Sequence, residues 1–257
     1  MNNRFKHNTI GLLLLVGIIL SLTPVTVLAQ DSTDSSKKWE FTVAPYILFP
    51  NMRGETTIRG LSIDVNANTS DIFSRLDFGA MLYAEMSNEK WAIAFDVLYM
   101  SLSDNGVLPL TQREASVSMK QLAVELVGLR RLAPWVELGV GGRLNVVDGG
   151  LFVPEGVVLP GQDLGQSETW FDPLIAYRFT LPNESKWNFS VRGDIGGFGI
   201  GSKFSWQIYP MVGYRFSKLF ELAIAYRAIG MDYVNSDESF KMDMILFGPE
   251  IGFLFHF

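Results

Sequence analysis

The stretch Phe204–Phe216, with the sequence FSWQIYPMVGYRF, alternates between two kinds of residue along its whole length. One set is apolar or aromatic: Phe204, Trp206, Ile208, Pro210, Val212, Tyr214 and Phe216. The other set is smaller or more polar: Ser205, Gln207, Tyr209, Met211, Gly213 and Arg215. Because successive side chains of a β-strand point to opposite faces, the pattern predicts a strand with one apolar face. The run exceeds the about 5–6 residues usual in soluble sheets and matches the about 9–11 residues of a membrane-spanning strand.

The same alternation recurs after the N-terminal segment, most clearly from Trp39, Trp91, Trp187 and Phe220 onward. Alternation alone fits a soluble sandwich, whose apolar face is the core, or a membrane barrel, whose apolar face meets lipid. Three further features favour the barrel.

The lengths of the connections are the first of these features. Tight turns are predicted at 88–90, 132–134, 182–186 and 217–219, and longer loops at 104–113, 147–168, 196–202 and 235–240. Short and long connections alternate strictly, as the periplasmic turns and external loops of outer-membrane barrels do.

Aromatic residues at the strand ends are the second feature. They predict a membrane-interface girdle on the periplasmic side, formed by Trp39, Trp91, Trp187, Phe220, Phe179, Phe216, Phe255 and Phe257. Trp135 also follows a short turn, but its parity places it toward the lumen unless a bulge intervenes. The third feature is the C-terminus, where Phe253, Phe255 and Phe257 alternate and the last residue is Phe. This ending resembles the assembly signal of outer-membrane barrels.

The fold class is therefore all-β: a single antiparallel up-and-down transmembrane barrel of about ten strands, with eight or twelve as alternatives. The predicted strands are 39–49, 76–87, 91–103, 115–129, 134–146, 168–180, 186–196, 203–216, 219–233 and 241–257. The segment 50–75 is predicted to form an external surface hairpin outside that count.

The N-terminal segment has the pattern of a cleaved signal peptide. Arg4 and Lys6 precede an apolar run, and small-residue cleavage is predicted after Ala29. An uncleaved anchor helix is the alternative, although the run is short for a span of about 20 residues. The predicted organisation is a signal peptide over 1–29, a polar lead-in over 30–38 and a barrel domain over 39–257. Export and the barrel fold together predict a location in the bacterial outer membrane. The expected partners are outer-membrane lipid and, during biogenesis, the barrel-assembly machinery.

Several short pieces together resemble a family of uncharacterised proteobacterial outer-membrane proteins in the class of small OmpA- and opacity-type barrels. They are Trp39-Glu40-Phe41, Ala44-Pro45-Tyr46, Asp71-Ile72-Phe73, Leu76-Asp77-Phe78, Trp91 with Asp96 and Tyr99, Tyr226-Arg227, Asp232-Tyr233, Gly248-Pro249 with Gly252, and Phe255-His256-Phe257. The resemblance covers most of the mature chain. It implies the fold and the membrane, but no activity, because the class includes adhesins, structural barrels and enzymes.

Charged residues on the lumen face of the predicted strands are the candidate site. By parity they are Glu40, Asp77, Glu85, Asp96, Glu125, Glu137, Arg143, Asp172, Arg178, Arg192, Asp194, Arg215, Glu221, Arg227 and Glu250, with His256 at the rim. Buried charges need partners, so a lumen filled by a salt-bridge network is predicted. A narrow, cation-preferring pore is the alternative, because acids outnumber bases in this set.

Other chemistry has little support in the sequence. Cysteine is absent, and the mature chain has one histidine, His256, near its C-terminus. A catalytic base near neutral pH is usually a histidine, and no cofactor or metal site is expected. The acids Asp232, Asp237, Glu238 and Asp243 could bind Ca²⁺ weakly, but an ordinary solvated loop explains them. A net charge of −6 argues against nucleic acid. We therefore predict a non-enzymatic barrel with a structural or surface-contact role and an unknown surface ligand, and a lipid-modifying enzyme is the least favoured alternative.

Barrel closure gives the sharpest expectation. The first and last strands must pair, because an open edge cannot face lipid. Glu40 and His256 are both predicted to face inward at the periplasmic rim and to form an ion pair across this seam.

Overall fold

The computed structural model describes residues 38–58, 61–108, 113–153, 162–182 and 185–257. The predicted signal peptide and all but the last residue of the lead-in lie outside them. The strands are β1 (Glu40–Leu48), β2 (Asn51–Ile58), β3 (Leu61–Ala67), β4 (Leu76–Ser87), β5 (Trp91–Leu108), β6 (Arg113–Ala133), β7 (Val136–Val153), β8 (Gln162–Thr180), β9 (Trp187–Gly196), β10 (Phe204–Arg215), β11 (Phe220–Val234) and β12 (Phe240–His256). A short helix, α1 (Thr69–Ser74), precedes β4.

Ten of these strands close into an antiparallel barrel in the order β1-β4-β5-β6-β7-β8-β9-β10-β11-β12, with β12 pairing back to β1. The predicted ten-stranded up-and-down topology is confirmed. β12 pairs with β1 from His256 to Glu250 and then with β2 from Phe247 to Phe240. β2 thus continues the line of β1 after Pro50, which has no N–H to donate, and β3 folds back on β2.

Apolar side chains cover the outside of the barrel. Ile224 is 61% exposed, Val140 69% and Leu126 54%, on three different strands. Monomeric soluble proteins rarely leave so continuous an apolar surface in water, whereas an apolar outer band is what lipid requires. The outer wall is therefore the membrane-facing surface of a transmembrane barrel. The end at which β1 starts and β12 finishes is called the periplasmic rim, from the orientation that outer-membrane barrels share.

Four central strands are longer than predicted. β5 to β8 have 18, 21, 18 and 19 residues, about twice what a bilayer crossing needs. Much of the predicted loops 104–113 and 147–168 is therefore strand, although 109–112 and 154–161 lie outside the described residues. Polar residues and glycines suggested loops here, but pairing between neighbouring strands continues beyond the membrane.

The external segment 50–75 contains the predicted hairpin and also α1, which we did not predict. Asn68 caps the helix: its side chain accepts a hydrogen bond from the Asp71 backbone N–H, and the Asp71 carboxylate accepts one from the Asn68 N–H. Among the described residues, no helix is long and apolar enough to cross a membrane.

The sheet has two register shifts, and one of them moves a residue away from its predicted face. A register shift between Leu76 and Phe78 leaves Asp77 exposed beside Ser103, not in the lumen. A shift near Arg131 and Ala133 lies before Trp135. The Trp135 ring is 55% exposed at the rim and stacks on Phe179 at 6.2 Å. Trp135 also lines the periplasmic end of the lumen beside Glu137, as its parity predicts, because the extra residue of that shift lies on β6 and leaves the register of β7 unchanged.

Candidate functional site

The inward side chains form three layers along the barrel axis, and β11 and β12 contribute residues to these layers in the same order. From the periplasmic rim outward, β11 presents Glu221, two alanines, Arg227, and then Ile229 and Met231. β12 repeats this order, with Glu250 opposite Ala225 and its carboxylate in contact with Arg227. On both strands, therefore, small residues follow the rim, charged residues occupy the middle, and apolar residues occupy the external part.

The middle layer is a buried ionic cluster across the lumen. Nη2 of Arg143 lies 2.7 Å from Oε2 of Glu125 and 2.9 Å from Oδ1 of Asp194. All three residues are almost fully buried. Asp194 also accepts a hydrogen bond from Nε2 of Gln207. One guanidinium therefore joins carboxylates from β6 and β9, so the cluster ties strands together across the interior.

Two further arginines extend this cluster toward β1 and β12. Nη1 of Arg227 donates to Asp96 at 2.9 Å, and its Nε lies 3.0 Å from Glu250. Nη2 of Arg192 is 3.3 Å from Asp96 and from Glu125. The cluster Asp96, Glu125, Arg143, Arg192, Asp194, Arg227 and Glu250 is called the ionic layer below.

Tyrosine rings hold these two guanidiniums in place. The Arg227 guanidinium lies 4.8 Å from the Tyr46 ring centre and 4.7 Å from that of Tyr209, and Arg192 stacks on Tyr83 at 5.2 Å. The hydroxyls of Tyr46 and Tyr209 donate to Asp96 and Glu250 at 2.7 and 2.6 Å. The desolvated charges thus have both ionic and cation–π partners, as burial requires.

Asp172 is buried but belongs to a different set of contacts. Its carboxylate accepts hydrogen bonds from the backbone N–H of Ser202 at 2.6 Å and the Ser202 hydroxyl at 2.9 Å. Asn145 and Trp170 donate to it as well. These donors are all neutral, so Asp172 anchors the base of the β9–β10 loop and stands apart from the ionic layer.

The external part of the lumen is apolar and rich in methionine, and is called the apolar layer. Its buried members are Leu48, Met52, Ile72, Leu98, Met100, Val147, Trp170, Ile229, Met231, Tyr233, Phe240, Met242, Met244 and Leu246. Ile72 of α1 is 2% exposed, so the helix packs into the external end. Flexible methionine side chains suit such an irregular space.

A cavity of about 370 Å³ lies between the ionic layer and the periplasmic rim. Small inward residues such as Ala44, Ser190 and Gly252 leave this space, which is called the vestibule. Arg192, Arg227 and Glu250 line it and belong to the ionic layer. The vestibule therefore ends where the guanidiniums and carboxylates meet.

A second ionic group lies on the vestibule wall. Arg178 bonds Glu85 at 2.5 Å through Nη1, and its Nε donates to Glu137. Nη2 of Arg131 is 2.9 Å from the same Glu137 side chain. Arg131 was not among the predicted lumen charges, because the predicted strand ended before it.

At the rim, His256 joins strands on both sides of the seam. Its Nδ1 lies 3.1 Å from Oγ1 of Thr42, and its Nε2 lies 3.2 Å from Oε2 of the fully buried Glu221. β1 and β12 pair, and Glu40 and His256 both face inward, as predicted. The predicted ion pair with Glu40 is wrong, because Thr42 is the residue opposite His256. Glu40 lies opposite Ser87 and is exposed at the mouth.

The order hydroxyl, imidazole, carboxylate is that of a hydrolytic triad, but its surroundings favour a structural role. Nη2 of Arg215 lies 3.1 Å from Nε2 of His256 and 3.2 Å from Oε2 of Glu221. Asn188 donates to the other oxygen of that carboxylate. Glu221 is thus shared among three donors, and the cluster connects β9, β10, β11, β12 and β1 where the barrel closes.

The aromatic girdle stands on the outside of this rim. Trp187 contacts Tyr214 at 4.9 Å, and Phe216 follows Tyr214 at the same distance. Phe220 continues the chain of rings to Phe255 at 5.6 Å. Four further girdle residues are exposed near the periplasmic rim: Trp39, Trp91, Phe179 and Phe257.

The acidic side chains of the external loop between β11 and β12 are bonded to neighbouring residues of the chain. Nζ of Lys241 lies 3.0 Å from Glu238, and this hydrogen bond holds the pKa of the Glu238 carboxyl below its usual value. Ser239 does the same for the pKa of Asp237. Within the part of the chain that the structure describes, no three His, Asp or Glu side chains are grouped so as to hold a metal ion.

No family model matches this chain, and no curated protein matches it. Among solved structures, it is similar to Ail, the attachment invasion locus protein of Yersinia pestis, in complex with the heparin analogue sucrose octasulfate. That match has 12% identity and a TM-score of 0.38, over 85% of this chain and 98% of that one. The translocator domain of the autotransporter NalP from Neisseria meningitidis matches with 10% identity and a TM-score of 0.41, over 84% and 88%. The toluene transporter TodX of P. putida matches with 6% identity and a TM-score of 0.32, over 86% and 89%.

The fold and the lumen together define a class: a ten-stranded transmembrane β-barrel whose lumen is crossed by an ionic layer.

Proposed function

We propose that this protein is a closed, non-conducting outer-membrane barrel with a structural or surface-contact role exerted through its external part, and that it is not an enzyme. The observation that carries the proposal is the ionic layer, where Arg143, Arg192 and Arg227 occupy the middle of the lumen in contact with carboxylates from other strands. The apolar layer adds a second closure on the external side.

A filled interior is what the size of the barrel leads us to expect. A barrel of about eight strands has an interior that side chains just fill, so ten strands leave little free width. Buried ion pairs also resist ion passage, because a permeating ion would have to replace partners that desolvated charges require. Free space remains in the vestibule, which faces the periplasmic side.

The outer-membrane location is part of the proposal. The signal-peptide pattern, the apolar outer wall and the aromatic girdle support it. We also place the chain among the small OmpA- and opacity-type barrels of proteobacteria, on the motifs that carry the resemblance. The extended strands β5 to β8, which rise beyond the membrane, are the surface available for contacts.

Single-channel recording in planar bilayers tests the closed lumen. The refolded protein is expected to give no resolved current steps in 1 M KCl, while a general porin in the same bilayers conducts. Discrete, cation-selective steps from the folded protein would contradict the proposal and establish the narrow pore.

A further inference from the structure

Lysine–tryptophan pairs recur at the periplasmic rim and have no part in the closed lumen. Lys38-Trp39, Lys90-Trp91 and Lys186-Trp187 each stand where a strand starts upward from this rim. All six side chains are exposed. The three pairs belong to β1, β5 and β9, so they are spread around the circumference and do not converge on the vestibule.

Two further cations stand at the same level. The guanidinium of Arg130 lies over the Trp91 ring, 5.2 Å from its centre, on an exposed, outward-facing position of β6. Lys218 is exposed in the turn that leads to Phe220. Stacking on the indole holds the planar guanidinium at the depth of the aromatic girdle, with its N–H donors available.

Exposed cations without an ion pair are more frequent at this rim than on the external side, where Arg53 and Lys120 are the described examples. On the external side, Lys203 lies 3.9 Å from Asp232, and Lys241 lies 3.0 Å from Glu238. Counting only residues that the structure describes, Lys38, Lys90, Arg130, Lys186 and Lys218 have no carboxylate partner within 4.0 Å. A group of unpaired cations at one level points to anions supplied from outside the chain.

We propose that this rim binds the phosphate groups of anionic phospholipids in the adjacent, periplasmic leaflet. Indole rings settle at the headgroup level of a bilayer, and lysine stems extend along apolar surface while their ammonium groups reach the phosphates. Lysine and arginine near an anionic bilayer surface are attracted to it. The spread of the cations around the girdle fits many lipid headgroups better than one soluble ligand. The inference rests on the proposed membrane orientation.

The test compares lipid retention by two triple variants. The rim variant is K38Q/K90Q/K186Q. The matched control is K120Q/K203Q/K241Q, which combines Lys203 and Lys241 with Lys120, an exposed lysine on the external half of β6. Each protein is reconstituted into vesicles of equal parts phosphatidylglycerol and phosphatidylcholine, and the lipids retained are counted by native mass spectrometry. The wild type and the external control should retain phosphatidylglycerol preferentially. In the rim variant the ratio of retained phosphatidylglycerol to phosphatidylcholine should fall by at least about fivefold, the effect of roughly one surface cation.

Two results would overturn the inference: a wild type without lipid preference, or an equal loss in both variants. Binding of the wild type to isolated cell-wall glycan without any preference among lipids would also overturn it. Heat-dependent gel mobility checks that each variant has folded. Single-channel recordings on the same proteins keep this test separate from the test of the closed lumen. The glutamines of the rim variant leave the ionic layer unchanged, so this variant should conduct no more than the wild type.

Discussion

Replacing Phe257 with aspartate, or deleting it, is expected to abolish insertion into the outer membrane and leave precursor that is degraded. The backbone N–H of Phe257 donates to the Phe41 carbonyl at 2.8 Å, and the Phe41 N–H donates to the Phe257 carbonyl at 3.1 Å. Deletion removes these last bonds of the seam, and an unpaired edge in lipid costs several kcal/mol for each exposed group. Aspartate keeps the bonds but puts a charge on the outer, membrane-facing side of the girdle. The ring itself is 71% exposed on the girdle side.

Phe198→Asp is the matched control. Phe198 is also a half-exposed phenylalanine, but it lies in the external β9–β10 loop with a positive φ of 50°, a conformation that aspartate tolerates better than most residues. Folded protein in outer membranes, measured by immunoblot of unheated samples, should be normal for this control and lost for Phe257→Asp. Normal insertion of both variants would contradict the role assigned to the C-terminus.

Replacing Arg143 with methionine is expected to lower the free energy of unfolding by about 3–5 kcal/mol, the usual cost of leaving buried charges without their partner. Arg143 is 2% exposed, and its loss leaves the carboxylates of Glu125 and Asp194 without their shortest ionic contact. Urea titration of the protein in lipid vesicles, followed by tryptophan fluorescence, measures the effect.

Two comparisons separate ionic burial from simple loss of an arginine. R75M removes an ion pair with Asp104 whose side chains are 44% and 50% exposed, and should leave the urea midpoint close to that of the wild type, because solvent screens exposed ion pairs. The triple variant E125Q/R143M/D194N removes the charges together and should recover most of the stability. An Arg143→Met variant as stable as R75M would show that the ionic layer does not hold the barrel together.

The faces of the strands could be predicted from sequence because the two-residue period of a strand is rigid. Asp96, Arg143, Asp194, Arg227 and Glu250 all lie inside the barrel, where their parity placed them. The lumen partners could not be predicted in this way. Arg143 and Asp194 are 51 positions apart in the chain, and their contact depends on strand stagger around the whole barrel, which no local pattern encodes.

The predictions that the structure contradicts failed for local physical reasons. The extra residue of a bulge in β4 turns Asp77 away from the lumen, since a shift by one residue changes the face. Across the seam no turn sets the register, and a displacement of two residues puts Thr42, not Glu40, opposite His256. Helix α1 did leave a signal, the Asn68-Thr69-Ser70-Asp71 sequence of a capping box, that was hidden within an alternating segment.

We propose that this closed barrel is embedded in the outer membrane. The most direct measurement is gel mobility of the protein from the outer-membrane fraction of cells, with and without boiling. A barrel closed by β1 and β12 should sediment with that fraction and run faster unheated than boiled, because the folded form stays compact in detergent. Recovery in the soluble periplasmic fraction, with the same mobility before and after boiling, would contradict the account.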